Sequence, residues 1–259
     1  MLGGVLLEDK NYKLNIDRIL KVNNRSFYVS GNLIPETHQD ESVIKSIGNI
    51  LKSRNIGLVV DLSNYMRHVE KHNIINKIFD DYTIDYLKFD FKDNSDISQI
   101  GILLAAIIKI IPKIREYYSK SNKNILIHCY AGQNRSQFLF ISYLMLIHNY
   151  DYKLIRFALM KNRNEYIMSN PLFIIILYYI NENQQQFLNL INLKDQESQI
   201  TNIINIANDM IKYFEIHKES ILEAEKKLYI DFIMEIYGKK LITNINTINY
   251  LISSLKKLK

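Results

Sequence analysis

The feature that most constrains this chain is a nine-residue run, His128 to Ser136, that joins two apolar stretches of different character. Residues 124–127 form a short β-branched run that suits a buried strand, and residues 138–147 are too long and apolar for anything but a buried helix. The run HCYAGQNRS is therefore predicted to be a tight loop that closes onto a helix N-terminus. Such a loop aims several backbone N–H groups and the positive end of the helix dipole at one point, so it binds an oxyanion.

Three residues of this loop suit chemistry on a bound oxyanion. Gly132 can take the backbone angles that a cradle needs, and the guanidinium fork of Arg135 can make two parallel bonds to phosphate. Cys129 is the only cysteine in the chain, and a helix N-terminus and a cationic group beside it favour the thiolate form. We therefore predict that Cys129 is a thiolate nucleophile.

The spacing His-Cys-x5-Arg-Ser resembles the signature of the cysteine-dependent protein phosphatases, and within them the dual-specificity family, including its poxvirus-type members. The resemblance implies a phosphomonoester hydrolase that works through a phosphocysteine and needs no metal or other cofactor. It implies that Ser136 hydrogen-bonds the departing thiolate and that His128 supports the loop from behind. The phosphoryl group would be bound by the loop residues Tyr130, Ala131, Gly132, Gln133, Asn134 and Arg135.

The same resemblance implies a general acid upstream of the loop. In the family a tyrosine on a strand is followed seven residues later by the catalytic aspartate, and counting from Tyr86 gives Asp93. Asp90 competes for this role, but the alternating polarity of residues 84–93 predicts that it is an ordinary solvent-facing carboxylate on the strand. A positioned acid that protonates the leaving oxygen contributes about 10²–10⁴-fold to the rate.

Strand-like and helix-like patterns alternate along the first part of the chain. Alternation of this kind favours a central, mostly parallel sheet flanked by helices, which the family resemblance also implies. A hairpin turn is predicted at Asn23-Asn24. Arg163 and Asn170 resemble structural residues of the family, whose side chains bond to the backbone of nearby loops. The predicted strands are 19–22, 26–31, 58–62 and 84–93, the last of which runs out into a loop. The predicted helices are 42–54, 66–79, 97–118, 152–161 and 171–180.

The resemblance stops near residue 182, which predicts a catalytic domain at 1–182 and an all-helical C-terminal extension at 183–259. Helical periodicity in the extension predicts three amphipathic helices, over 203–214, 228–236 and 245–255. Their apolar stripes either pack on each other and on the catalytic core, or form a docking surface for a substrate, a second copy of the chain or a lipid surface.

The composition indicates whether the chain can form a core or span a membrane, and which compartment and partners it favours. The 259 residues are 47% hydrophobic, enough for a full core, and apolar runs such as 102–108 fall short of the ~20 residues of a membrane span. A single cysteine allows no internal disulfide, which favours a reducing, cytoplasmic compartment. The net charge of +6 favours acidic partners such as phosphoproteins, RNA or anionic lipid.

Three other functions compete with a protein phosphatase. A lipid phosphatase is expected to carry lysines in the loop, and this loop has none. An RNA 5′-triphosphatase of the same superfamily also has asparagine before the arginine, as Asn134 is here, but usually has threonine-glycine where Ser136-Gln137 stand. A non-catalytic phosphoprotein binder is favoured only by Gln137, since the family normally has a small residue there. The chain has no phosphotyrosine-recognition loop before Cys129, which predicts a shallow cleft open to phosphoserine and phosphothreonine as well.

Overall fold

The computed structural model describes residues 16–22, 25–31, 33, 41–63, 76–163 and 167–237. The chain forms two compact units. The first comprises Met1–Asp93 with Ala106–Phe140, and the second comprises Asn94–Ala105 with Ile141–Lys259. Neither unit is continuous in sequence.

The first unit is built on a five-stranded sheet with the order β1-β2-β5-β3-β4. β1 is antiparallel to β2, as the predicted hairpin requires. The four strands β2, β5, β3 and β4 are parallel to one another. All six residues of β3 are buried, which is typical of the apolar central strands of a parallel sheet. The mostly parallel sheet is confirmed. The strands are β1 Ile16–Val22, β2 Arg25–Ser30, β3 Ile56–Asp61, β4 Asp85–Lys88 and β5 Asn124–His128.

Helices of the first unit cover an apolar cluster next to the sheet. Helix α1, Glu41–Ser53, contributes buried residues that include Leu51, which packs in one cluster with Val59 of β3 and Phe79. Residues 76–81 are helical and are called α2, whereas 66–75 of the predicted second helix lie outside the described residues, as does the Asn23-Asn24 turn. Helix α3, Ile100–Lys120, holds Pro112 in its interior.

The second unit is helical. It contains residues 141–148 of helix α4, whose full range is Arg135–His148. Its other helices are α5 Tyr152–Arg163, α6 Pro171–Glu182, α7 Gln184–Asn192 and α8 Gln196–Tyr237. Asn170 caps α6, since its Oδ1 accepts from the Leu172 N–H at 3.0 Å, and Pro171 fits the first helical turn. Asn170 also donates from Nδ2 to the backbone oxygen of Asn94 at 2.9 Å, which confirms the predicted bond from Asn170 to a nearby loop.

The prediction of two separate helices at 203–214 and 228–236 is wrong, because both lie in the 42-residue helix α8. The intervening residues 215–227 contain no glycine or proline and are rich in good helix formers, so nothing ends the helix between the two stripes. α8 packs against α5, α6 and α7, as the core-packing alternative expected. The third predicted helix, at 245–255, lies outside the described residues. The division into 1–182 and 183–259 stays a prediction.

Within the described residues, one helical stretch, 97–120, is long and apolar enough to cross a membrane, whereas the apolar run 102–108 was expected to be too short. Half of its most apolar window is buried inside the structure. Buried core helices of soluble proteins share this composition, so the stretch is weak evidence for a membrane span.

Candidate active site

The loop predicted to bind an oxyanion leaves the carboxyl end of the central strand β5. The Cys129 N–H donates to the backbone oxygen of Ser30 at 3.3 Å, and the Leu62 N–H donates to that of His128 at 2.8 Å, so the loop is fixed to the ends of β2 and β3. Gly132 has a φ of 71°, and a Cβ on it would lie 2.7 Å from the nitrogen of Gly31. Only glycine fits this position, as the sequence predicted.

Cys129 lies at the centre of this loop and is almost fully buried, with 1% of its surface exposed. Its Sγ accepts from the Gly132 N–H at 3.2 Å and lies 3.4 Å from the Ser136 Oγ, which can also donate. Two hydrogen-bond donors therefore converge on this sulfur. The arrangement suits a sulfur atom that must attack and depart repeatedly.

Arg135 is the first residue of α4, and its side chain is held by two loops of the first unit. Nη1 donates to the backbone oxygen of Leu62 at 2.8 Å and to that of Phe91 at 3.3 Å, and the residue is 7% exposed. Its Nε is buried and has no hydrogen-bond partner among the described residues. A buried donor of this kind calls for a ligand, and a phosphoryl oxygen is the group that a guanidinium binds best.

A buried polar cluster behind the loop was not predicted from the sequence. The Asp61 carboxylate ends β3 and accepts from the Ser63 N–H at 2.7 Å, from the Ser63 hydroxyl, and from the Tyr86 hydroxyl at 2.6 Å. Its Oδ1 lies 3.5 Å from the Nε2 of His128. Burial lowers the pKa of His128 below its ordinary value, although the Asp61 charge acts in the opposite direction. The imidazole next to Cys129 is therefore neutral at physiological pH.

The candidate general acid lies in the loop that follows β4. Phe91 is buried and packs edge-on against Phe138 at a ring distance of 6.2 Å, and its backbone oxygen accepts from Arg135. Asp93 follows two residues later and is exposed. Asp90 lies beyond the end of β4 at Lys88 and is half-buried, so it is not the solvent-facing strand residue that was expected. The choice of Asp93 over Asp90 stays a prediction.

A family model described as "Dual specificity phosphatase, catalytic domain" matches residues 41–183, which is more than half of the chain. The chain belongs to the dual-specificity phosphatase family. It is accordingly a cysteine-dependent phosphomonoester hydrolase of the protein-tyrosine phosphatase type, and its family implies a phosphorylated protein as substrate.

One curated protein and two solved structures are among those similar to this chain. Putative tyrosine-protein phosphatase AMV078 of Amsacta moorei entomopoxvirus is 31% identical over 138 residues, which are 53% of this chain and 75% of that protein. The crystal structure of kinase associated phosphatase is similar in fold, with a TM-score of 0.50 and 13% identity over 69% of this chain and 98% of that one. The Cydia pomonella PTP-2 phosphatase has 21% identity and a TM-score of 0.47, and the match covers 62% of this chain and 87% of that one.

Gln137 directly follows the loop of this dual-specificity phosphatase, at the position where the sequence resemblance predicts a small residue. Its side chain is fully buried, and its Nε2 donates to the backbone oxygen of Gly132 at 3.4 Å. The amide thus contacts the inner side of the loop instead of extending into solvent. Of the other predicted binding residues, Tyr130, Ala131 and Gln133 are exposed and Asn134 is half-buried.

Proposed function

We propose that this dual-specificity phosphatase hydrolyses phosphotyrosine, phosphoserine and phosphothreonine in proteins through a phosphocysteine intermediate. The observation that carries the proposal is the position of the Cys129 Sγ between the Gly132 N–H and the Ser136 hydroxyl. Arg135, six positions later, has a buried Nε that can bind the phosphoryl group attacked by that sulfur.

In the first step, the Cys129 Sγ attacks phosphorus and the bond from phosphorus to the leaving oxygen breaks. Asp93 gives its proton to that oxygen, so the product leaves as a neutral hydroxyl. Arg135 and the backbone N–H groups of the loop hold the other three phosphoryl oxygens. Stabilisation of the charge that develops on these oxygens is usually the largest single contribution to such catalysis.

In the second step, the Asp93 carboxylate takes a proton from water, which attacks phosphorus and breaks the bond to sulfur. Inorganic phosphate leaves and the Cys129 thiolate is restored. The Ser136 hydroxyl, 3.4 Å from the sulfur, is placed to donate a hydrogen bond to the departing thiolate. Gly132 offers a second donor to the same atom at 3.2 Å.

The proposed substrate range rests on the entrance to the site. No phosphotyrosine-recognition loop precedes Cys129 in the sequence, and the loop residue Tyr130 is 56% exposed. We propose that the cleft at this entrance is shallow, which would admit the short side chains of phosphoserine and phosphothreonine. We also propose a reducing, cytoplasmic location, because a nucleophilic thiolate needs such a compartment to stay reduced.

A panel of four substrates tests this function. The purified full-length chain is incubated with a phosphotyrosine peptide, a phosphothreonine peptide, a phosphoinositide and triphosphate-ended RNA, and released phosphate is measured. We expect release from both peptides. Release from RNA alone would overturn the proposal in favour of an RNA 5′-triphosphatase. Tight peptide binding without release would indicate a non-catalytic phosphoprotein binder.

A further inference from the structure

A buried ion pair joins helix α5 to helix α8. The Arg156 Nε lies 3.2 Å from the Glu225 Oε2, and both side chains are fully buried. The Tyr152 hydroxyl donates to the other carboxylate oxygen of Glu225 at 2.9 Å. Buried charges are costly unless their partners are well placed, and here both carboxylate oxygens have a donor.

The far end of Arg156 holds the segment between α5 and α6. Nη1 donates to the backbone oxygen of Ile167, and Nη2 donates to that of Met168 at 2.9 Å. Met168 has a φ of 58°, which a side chain of its size rarely adopts, because Cβ crowds the backbone there. Two bonds from a fixed guanidinium therefore maintain a backbone conformation that the local sequence does not favour.

The segment held by Arg156 leads directly to the candidate general-acid loop. Asn170, two residues after Met168, is 6% exposed and donates to the backbone oxygen of Asn94 at 2.9 Å. Asn94 follows Asp93 in the chain. A contiguous set of bonds thus runs from Glu225 through Arg156 and the 167–170 segment to the residue beside the proposed acid.

We propose that Glu225 is a positioning residue for catalysis: through Arg156 it fixes the 167–170 segment, and through Asn170 it holds the backbone at Asn94 so that Asp93 protonates the leaving group. The proposal rests on the proposed function, which gives Asp93 its role. Glu225 lies well beyond residue 183, where the family match ends. The extension therefore supplies part of the support for the catalytic step.

A structural role and a positioning role for Glu225 predict different losses of activity. Only in the positioning role does the loss depend on whether the leaving group needs a proton. Nitrophenolate is a stable anion and departs without a proton, whereas the alkoxide of threonine needs one. The value of kcat/KM reports only the steps up to formation of the phosphocysteine, so it excludes the second step, in which Asp93 acts as base for both substrates. If Glu225 positions the acid, its loss lowers kcat/KM for phosphothreonine peptide and spares kcat/KM for p-nitrophenyl phosphate. If it only stabilises the fold, kcat/KM falls to the same extent for both substrates.

The experiment compares full-length variants on both substrates. One variant is Glu225→Gln; a second, Arg156→Met with Glu225→Leu, removes both charges and avoids an unpaired buried ion. Glu219→Gln, on an exposed part of the same helix, is the control. We expect kcat/KM for phosphothreonine peptide to fall at least ~10-fold in both, towards the value for Asp93→Asn, and kcat/KM for p-nitrophenyl phosphate to change less than ~3-fold. The control keeps both rates.

A second readout does not need activity. Hydrogen–deuterium exchange of the peptide covering residues 90–96 should be faster in both Glu225 variants than in the control. Equal loss on the two substrates, or unchanged exchange in this peptide, would overturn the proposal. A wild-type chain inactive towards every phosphopeptide would contradict the proposed function, and the exchange result would then decide the coupling by itself.

Discussion

His128 shows how one residue can be fixed in a single protonation state by its surroundings. The neighbouring Asp61 carboxylate is already satisfied by Ser63 and Tyr86, so it does not need a charged imidazole. Burial is the largest influence and lowers the pKa of His128, and the nearby charges of Arg135 and Lys88 act in the same direction. A neutral histidine beside Cys129 keeps the loop geometry constant across neutral pH.

This protonation state predicts how stability depends on pH. A histidine whose pKa is lower in the folded chain than the unfolded value of about 6.5 binds its proton preferentially when the chain is unfolded. The free energy of unfolding should therefore be constant above pH ~6.5 and fall as the pH drops below it, by up to about 1.4 kcal/mol per pH unit for one such histidine.

Urea unfolding between pH 5 and 8 measures the slope of the free energy of unfolding against pH. Burial also lowers the pKa of His148, so wild-type protein should show the effect of both residues. The variant His128→Gln should have a clearly smaller slope below pH ~6.5 than wild type, whatever its absolute stability. Identical slopes in the two proteins would mean that folding does not lower the pKa of His128.

The loop residues could be predicted from the sequence and the cluster behind them could not, for a physical reason. Cys129, Gly132, Arg135 and Ser136 lie within eight positions, where strand, loop and helix geometry fix their relation. Asp61 and Tyr86 are 25 residues apart, and they meet only because β3 and β4 are neighbours in the sheet. A carboxylate at the end of a buried apolar strand was the available signal.

At the scale of elements, α8 is the part that local patterns described least well. Two apolar stripes predicted two helices, whereas the structure has one helix whose buried residues, including Tyr229 and Phe232, face its neighbours. Phe157 of α5 packs edge-on against Phe232 at a ring distance of 6.3 Å. Periodicity indicates which face is apolar, but only the absence of a helix-breaking residue indicates that the helix continues.

The buried pair between α5 and α8 predicts a large loss of stability on removal of one partner. Glu225→Ala leaves the Arg156 guanidinium buried without its carboxylate, which typically costs about 3–5 kcal/mol. The free energy of unfolding from urea titration measures the loss. Glu219→Ala, on an exposed part of the same helix, should change stability by less than about 0.5 kcal/mol. Equal effects from the two substitutions would contradict the role given to the pair.

At the scale of the whole molecule, the mostly parallel sheet and the family were predictable, and the division of the chain was not. The apolar strand before Cys129 and the alternation of strands with helices predict the sheet directly. The two compact units, however, each combine distant segments, and residues 94–105 belong with 141–259. Such groupings depend on contacts between positions far apart in sequence, which no local pattern contains.

The central claim is that Cys129 becomes phosphorylated during turnover. In the variant Asp93→Asn, p-nitrophenyl phosphate should still transfer its phosphoryl group to the sulfur, because nitrophenolate departs without a proton. Hydrolysis of the intermediate should be slow, because water then lacks its general base. The intermediate should therefore accumulate.

Mass spectrometry of the acid-quenched Asp93→Asn reaction tests this most directly. We predict one phosphoryl group per chain on the peptide that contains Cys129, and none when Cys129→Ser is added. A reaction that turns over substrate with no phosphoryl group on Cys129, or a Cys129→Ser protein with appreciable activity, would contradict the account.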